Sequence, residues 1–373
     1  MIKHKILLIS TGGTIAGEVA MNKKDPTYET VKAEKFSELI KDTISHIKKE
    51  KGIELLIEPE EYEELDSSDI KPQNWIDLAQ IVSDKYDEYD SFVITHGTNT
   101  LGYTCAALSF ALINNAKPVV LTGSQVPIGV PGSDAKTNLD NAIRIACWKH
   151  DSIYGVIAVF GSHIISGTRV KKSTEFDYDA FKSFNTGSIG RIGRIIDINK
   201  NNLKAHNDYW DKKDSIYPLA KTKARLKVDN RFVWDIVSLT EFPGMNPNIF
   251  KKLVNSLEIK GFILRAFGAG DAASSMRDAL EFLKEEKIPI VITTQAPSGN
   301  ANMQVNAPGQ YILQNSLGIP AYDMSIEAQT TKLSWLLSQL EAKEITYKQL
   351  CLEMVHNIRG EVNPIHEEEW GVS

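Results

Sequence analysis

The chain has 373 residues, with 42 Lys and Arg against 48 Asp and Glu, a formal net charge of −6 with neutral histidines. That balance excludes a nucleic-acid clamp, which needs a basic excess to displace counterions from phosphates. A 42% hydrophobic and 24% charged composition with 24 Gly and 14 Pro excludes fibrous and low-complexity chains and leaves a globular protein of about two domains. No apolar run approaches the roughly 20 residues that span a bilayer, so neither nucleic acid nor membrane is an expected partner.

At the start of the chain, Ile6-Leu7-Leu8-Ile9 runs straight into Ser10-Thr11-Gly12-Gly13 with no small-residue cleavage site. A first buried strand is expected at Lys5 to Ser10, and not a signal peptide. Further strands are expected at Ser91 to Thr95, Pro118 to Thr122, Gly155 to Phe160, Phe232 to Leu239, Gly261 to Phe267 and Pro289 to Thr294. Helical spacing alternates with them at Ala33 to Lys48, Asn74 to Lys85, Thr100 to Asn114, Asp134 to His150, Asp271 to Glu286 and Ser325 to Ala342. This alternation marks an α/β chain, and strands that are nearly all apolar fit a parallel sheet covered on both faces. From Asn199 to Asn230 the pattern lapses into polar text, which divides the chain into residues 1–198, a linker at 199–230, and residues 231–373. The three cysteines, Cys105, Cys147 and Cys351, are widely separated and lack CxxC spacing. They fit buried thiols in a reducing, cytoplasmic setting better than disulfides or zinc ligands.

Chemistry concentrates where three strands run into loops rich in Gly, Thr and Ser: Ser10-Thr11-Gly12-Gly13-Thr14, Thr95-His96-Gly97-Thr98-Asn99-Thr100 and Leu121-Thr122-Gly123-Ser124-Gln125. Ligands of open α/β sheets bind at the carboxyl ends of strands, and helix N-termini there offer free N–H donors to an anion or developing oxyanion. Any one such loop alone is usually only a turn with an N-cap; three at matching positions are more informative. No GxSxG elbow accompanies His96, which therefore reads as a structural histidine. His366-Glu367-Glu368 lacks the second histidine of a zinc helix, and Gly268-Ala269-Gly270-Asp271-Ala272-Ala273 is a poor dinucleotide loop. Neither metal nor cofactor is expected.

Thr11-Gly12-Gly13-Thr14-Ile15-Ala16-Gly17 and Ile94-Thr95-His96-Gly97-Thr98-Asn99-Thr100-Leu101 resemble the two signatures of the bacterial-type L-asparaginases, a family of threonine amidohydrolases. The resemblance runs from residue 5 to about residue 360. Leu65-Asp66-Ser67-Ser68-Asp69 with Trp75, and Glu327-Ala328 with Lys332-Leu333-Ser334-Trp335, resemble the cytoplasmic type I branch. It implies a larger N-terminal domain and a smaller C-terminal one, each around a mostly parallel sheet, in a homodimer or homotetramer whose neighbouring C-terminal domain completes each site. It implies Thr14 as the nucleophile that attacks a side-chain carboxamide, Tyr28 as its base, and Thr98 with Lys172 as a second relay. Ser67 matches the binder of a substrate α-carboxylate, Gly97 belongs to the substrate loop, and the Ser124 carbonyl matches a holder of the departing nitrogen. A hydroxyl is a poor nucleophile until a neighbour takes its proton, and a lysine, ordinarily near about 10.4, can do so only if burial lowers its pKa.

Two positions depart from the family pattern. Asn99 stands where the family has an Asp that binds the substrate α-ammonium; an amide keeps the shape and an acceptor but loses the charge. Asp271 stands where the family usually has Asn, so the charge is expected either to be restored in trans by Asp271 of a neighbour or, alternatively, to serve only as a helix N-cap. The expected function is hydrolysis of the side-chain amide of L-asparagine to aspartate and ammonia. The alternatives are hydrolysis of a modified or peptidyl asparagine and a weakly active ligand-binding homologue. Amidotransferase subunits of the same fold rank below these.

Overall fold

The computed structural model describes residues 2–12, 17–20, 27–30, 33–148, 152–210 and 226–363. It divides into two compact units, Met1–Asn230 and Arg231–Ser373. Among the described residues no helix is long and apolar enough to cross a membrane.

The first unit is built on an eight-stranded sheet. Next to one edge of it lies β1 (Ile2–Gly12), flanked on the outer side by β2 (Ile53–Leu65) and on the inner side by β3 (Ser91–Thr95). Beyond β3 come β4 (Pro118–Thr122), β5 (Gly155–Phe160), β6 (His163–Ser166), β7 (Gly190–Ile192) and β8 (Ile196–Ile198). Strands β1 to β5 pair in parallel and β6 to β8 antiparallel. Ile6, Phe92, Val93, Ile94, Val119 and Val120 are all fully buried, as both faces of a covered parallel sheet require. Helices α1 (Ala33–Lys51), α2 (Pro72–Asp84), α3 (Leu101–Ala111) and α4 (Ala135–Ala146) supply the crossovers. β2 was not among the expected strands, because Ile53-Glu54-Leu55-Leu56-Ile57-Glu58-Pro59-Glu60 carries acids and a proline. It lies at the sheet edge, where proline is tolerated and charge deters further pairing.

The chain leaves β1 to one side for β2 and later returns to the other side for β3. Connections therefore diverge above the carboxyl ends of β1 and β3, the switch point where open α/β sheets hold ligands. The loop after β3 is tied down from below. The imidazole of His96 is fully buried, and desolvation pushes its pKa down to about 4, so the ring is neutral. Its Nδ1 lies 2.7 Å from the Gly97 carbonyl, which can only accept, so Nδ1 carries the proton. Nε2 then accepts from the Thr104 hydroxyl at 2.9 Å, whose oxygen accepts the Trp75 indole N–H at 3.1 Å. This relay from α2 through α3 leaves no proton position open, and it makes His96 structural, as its sequence context indicates. Two glycines complete the packing: a Cβ at Gly97 would lie 2.5 Å from Ser67 Oγ, and one at Gly123 would lie 2.4 Å from the His96 carbonyl oxygen. Real Cβ atoms do not come that close, so the three loops sit together only with hydrogen at both positions.

The stretch read as a linker begins with a helix, α5 (Lys200–Trp210). Leu203, His206 and Trp210 are buried, a single apolar stripe hidden among polar neighbours; His206 bonds Ser166 Oγ at 3.0 Å and the Tyr154 carbonyl at 2.7 Å.

The second unit holds a four-stranded parallel sheet in the order β9 (Ile236–Thr240), β10 (Gly261–Ala266), β11 (Ile290–Thr294), β12 (Ile319–Pro320). Around it lie α6 (Asn248–Ser256), α7 (Arg277–Glu285), α8 (Ala307–Gln314), α9 (Ile326–Glu341) and α10 (Tyr347–Val355). The helix expected from Asp271 starts only at Arg277, because Gly270 N and Asp271 N turn back to the Phe267 carbonyl. A buried ion pair anchors α9: Lys332 Nζ lies 2.6 Å from Glu361 Oε1 with both side chains fully covered. Lys332 also donates to the Met354 carbonyl at 3.1 Å, and Glu361 accepts from Ile358 N and Arg359 N. Burial alone would raise the Glu361 pKa, but the Lys332 ammonium and the two N–H donors outweigh it and hold the carboxyl below its usual range.

Removing one partner of such a pair strands the other, so Lys332→Met is expected to cost roughly 3–5 kcal/mol in denaturant unfolding. The double variant Lys332→Met/Glu361→Leu should recover most of that loss. Because the folded-state pKa of Glu361 is depressed, its contribution is present above the unfolded pKa and lost as pH falls through the folded value; the double variant should lack this acid-labile part. In the first unit, Thr104→Val removes the hydroxyl that His96 Nε2 accepts from and should cost about 1–3 kcal/mol by the same measurement.

Candidate active site

Of the residues expected to carry chemistry, Thr98, Asn99, Lys172 and Ser67 come together at the carboxyl end of β3. Thr98 is 9% exposed and follows the turn that the His96 relay fixes. Lys172 ends a short strand, Val170–Lys172, paired antiparallel with Phe181–Ser183. Its ammonium donates to Thr98 Oγ1 at 2.9 Å and to Asn99 Oδ1 at 3.2 Å. Residues more than 70 positions apart in sequence thus form one polar triangle. Burial lowers the Lys172 pKa below the ordinary lysine value, while the charge of Glu175 pulls the other way. Among the described residues no carboxylate lies within ion-pair distance of Lys172.

Asn99 uses both ends of its amide. A lysine only donates, so the oxygen must face Lys172, and Nδ2 then donates to Ser68 Oγ at 2.9 Å. Sequence reasoning passed over Ser68; the tandem Ser67-Ser68 after Asp66 is the signal that marks it. These serines lie in the 3-10 turn Ser67–Asp69, whose N-cap Asp66 accepts from Ser68 N at 2.7 Å. Ser67 is 4% exposed, and its carbonyl accepts from Thr100 Oγ1 at 2.6 Å. The turn is therefore bonded to the β3 loop at two points, Thr100 to Ser67 and Asn99 to Ser68, with Gly97 providing the space for Ser67.

The end of β1 and the third loop are also bonded to the carboxyl end of β3. Thr11 at the end of β1 is buried and donates to the Thr95 carbonyl at 3.0 Å. His96 N bonds the Thr122 carbonyl at 2.8 Å, and the Gly123 carbonyl accepts from Asn138 Nδ2 at 2.9 Å. The Asp134 carboxylate takes the N–H groups of Gln125 and Val126. Ser124 is buried, and its hydroxyl has no partner among the described residues. Thr14 lies outside the described residues, and Tyr28 stands in the strand Thr27–Thr30, opposite Val19 of Gly17–Ala20.

Asp271 belongs to the second unit. Its carboxylate accepts from Asn306 Nδ2 at 2.6 Å and from Gly309 N at 3.3 Å. It therefore closes the first turn of α8 from outside, and not the helix that follows it in sequence. Among the described residues no group of His, Cys, Asp and Glu is placed to hold a metal ion.

Comparisons with known proteins agree with this geometry. Residues 5–204 match the model of the asparaginase N-terminal domain, and residues 235–348 match that of the glutaminase/asparaginase C-terminal domain. An L-asparaginase of Thermococcus kodakarensis is 33% identical over 96% of this chain and 99% of its own. A glutamyl-tRNA(Gln) amidotransferase polypeptide of Aeropyrum pernix is 31% identical over 98% of this chain and 81% of its own. The crystal structure of L-asparaginase I from Vibrio cholerae superposes with a TM-score of 0.78 at 29% identity, covering 97% of this chain and 99% of that one. The chain belongs to the asparaginase family of amidohydrolase enzymes.

Proposed function

We propose that this enzyme hydrolyses the side-chain amide of L-asparagine to aspartate and ammonia through a threonine ester. The observation that carries the reading is Lys172 Nζ at 2.9 Å from Thr98 Oγ1, at the strand end where an α/β sheet takes its ligand. In this reading Thr14 Oγ attacks the carboxamide carbon and its proton leaves through Tyr28. The tetrahedral intermediate collapses to an aspartyl ester as ammonia departs with a proton. Water then attacks the ester, activated by Thr98 and an unprotonated Lys172, and regenerates the Thr14 hydroxyl. Ser67 binds the α-carboxylate, Asn99 accepts from the α-ammonium with the free lone pair of its oxygen, and the Gly97 and Ser124 backbone orients the carboxamide. A homodimeric or homotetrameric, cytoplasmic enzyme fits the family and the three free thiols. The local bonds of Asp271 favour a structural role for it over charge donation in trans.

A second reading is favoured by Asn99. With both ends of its amide already bonded to Lys172 and Ser68 and no full charge, the site offers a free α-ammonium less than a carboxylate would. An asparagine whose α-nitrogen is acylated, within a peptide or conjugate, avoids that loss.

Ammonia release from L-asparagine, L-glutamine, N-acetyl-asparagine and an asparaginyl peptide separates the readings. Turnover of free asparagine supports the first, turnover of only the blocked amides supports the second, and none from any of them sinks both. Thr14→Ala should abolish turnover, and Thr98→Val or Lys172→Met should lower kcat by about 10²–10⁴. Compared on the pH plateau of each variant, Asn99→Asp should raise kcat/KM for free asparagine about tenfold or more while giving no gain on N-acetyl-asparagine. Because Lys172 must be unprotonated to act, rates should rise as pH climbs through its pKa. A carboxylate at 99 stabilises the ammonium, so the rising limb of Asn99→Asp should lie at higher pH.

A further inference from the structure

A cavity of about 250 Å³ opens at the amino ends of β11 and β12, the edge of the second sheet opposite its strand carboxyl ends. Its floor is aliphatic: Ile290 and Ile319, the first residues of those strands, with Leu317 and Ile288 beside them. Leu352 of α10 closes one wall. Apart from the Ser316 backbone turn, the polar groups are gathered on two elements. Tyr347 and Cys351 stand one helical turn apart on α10, bonded to one another. Burial pushes the Cys351 thiol up to about 11 and the Tyr347 phenol above its usual value, so both stay protonated and neutral near pH 7.

The charged groups on this cavity are both cations. Lys284 at the end of α7 and Lys348 in the first turn of α10 stand exposed at its mouth, and no acid lines it. Lys284 donates to the Asn315 carbonyl at 2.7 Å, which places its ammonium beside the opening without neutralising it. An apolar floor with neutral donors and two ammonium groups at the rim is complementary to an apolar body that carries one anionic end. Size narrows the choice: an apolar cavity of about 150 Å³ accommodates benzene, so this one holds about ten non-hydrogen atoms. A carboxylate meets the rim geometry, since a lysine is a point donor that needs no planar partner.

We propose that this cavity is a binding site for an amphipathic monocarboxylate of medium length, with its tail against Ile290, Ile319 and Leu352 and its carboxylate between Lys284 and Lys348. The site is independent of the hydrolytic reading, since it uses none of the residues assigned to that chemistry.

Octanoate is the probe, tested on the full chain by calorimetric titration and thermal unfolding, with acetate and octylammonium as controls. Octanoate should bind saturably and raise the unfolding temperature as its concentration increases, while acetate lacks the tail and octylammonium carries the wrong charge. Lys284→Gln/Lys348→Gln, two exposed changes, should weaken octanoate about tenfold. Leu352→Trp fills the cavity and should abolish binding. Because that variant crowds the domain, methyl spectra of the unchanged protein give a separate reading, in which the Ile319 and Leu352 methyls should shift on titration. Equal binding of octylammonium, unweakened binding by the double lysine variant, or octanoate binding that leaves those methyls unmoved would overturn the proposal.

Discussion

The site depends on close backbone approach. With hydrogen at Gly97 and Gly123, the loop after β3 sits against the Ser67 turn on one side and the loop after β4 on the other, at spacings no Cβ would allow. A larger residue at either position would drive the three loops apart by a good part of an ångström, and errors of that size are costly where reacting groups must align. The same loop is gripped from beneath by a line of hydrogen bonds from the Trp75 indole to the Gly97 carbonyl. Rigid elements on both sides thus hold a polar turn whose own hydrogen bonds would not specify it.

What that scaffold presents is a threonine hydroxyl, a lysine and an amide in mutual contact. Lys172 has lost solvent on one side and has no carboxylate partner among the described residues, so its proton is held less firmly than that of an ion-paired lysine. Asn99 is central to this. In place of a carboxylate that would favour the ammonium form, it offers one neutral oxygen to Lys172 and uses its nitrogen to fix Ser68. One substitution therefore acts in two directions: it weakens the attraction for a cationic substrate group and eases proton loss from the lysine beside it.

Much of this was legible in the sequence, for identifiable reasons. Strands at Ser91, Pro118 and Gly155 are continuous apolar runs ending in Gly or Thr, a pattern with few other readings, and their observed bounds match those expected. The structural role of His96 was legible in the absence of a nucleophile elbow, whereas its neutrality comes from burial that only the fold shows. β2 was hidden because an edge strand tolerates acids and proline, and α5 because one narrow stripe, Leu203, His206 and Trp210, sufficed to bury it. Partners distant in sequence escaped altogether: nothing local in Thr104 points to Trp75 and His96, and nothing local in Asp271 points to the first turn of α8. Tertiary hydrogen bonds are specified by the assembled fold, and a one-dimensional pattern carries only their candidates.

The central claim is that Lys172, half-buried beside Thr98 and facing a neutral amide, gives up its proton more readily than an ordinary lysine. Labelled-lysine NMR that follows the Lys172 side chain through a pH titration, in this protein and in Asn99→Asp, measures it directly. The account predicts a midpoint below the usual lysine value that moves upward when a carboxylate stands at position 99. A midpoint at the ordinary value, or one indifferent to that change, would contradict it.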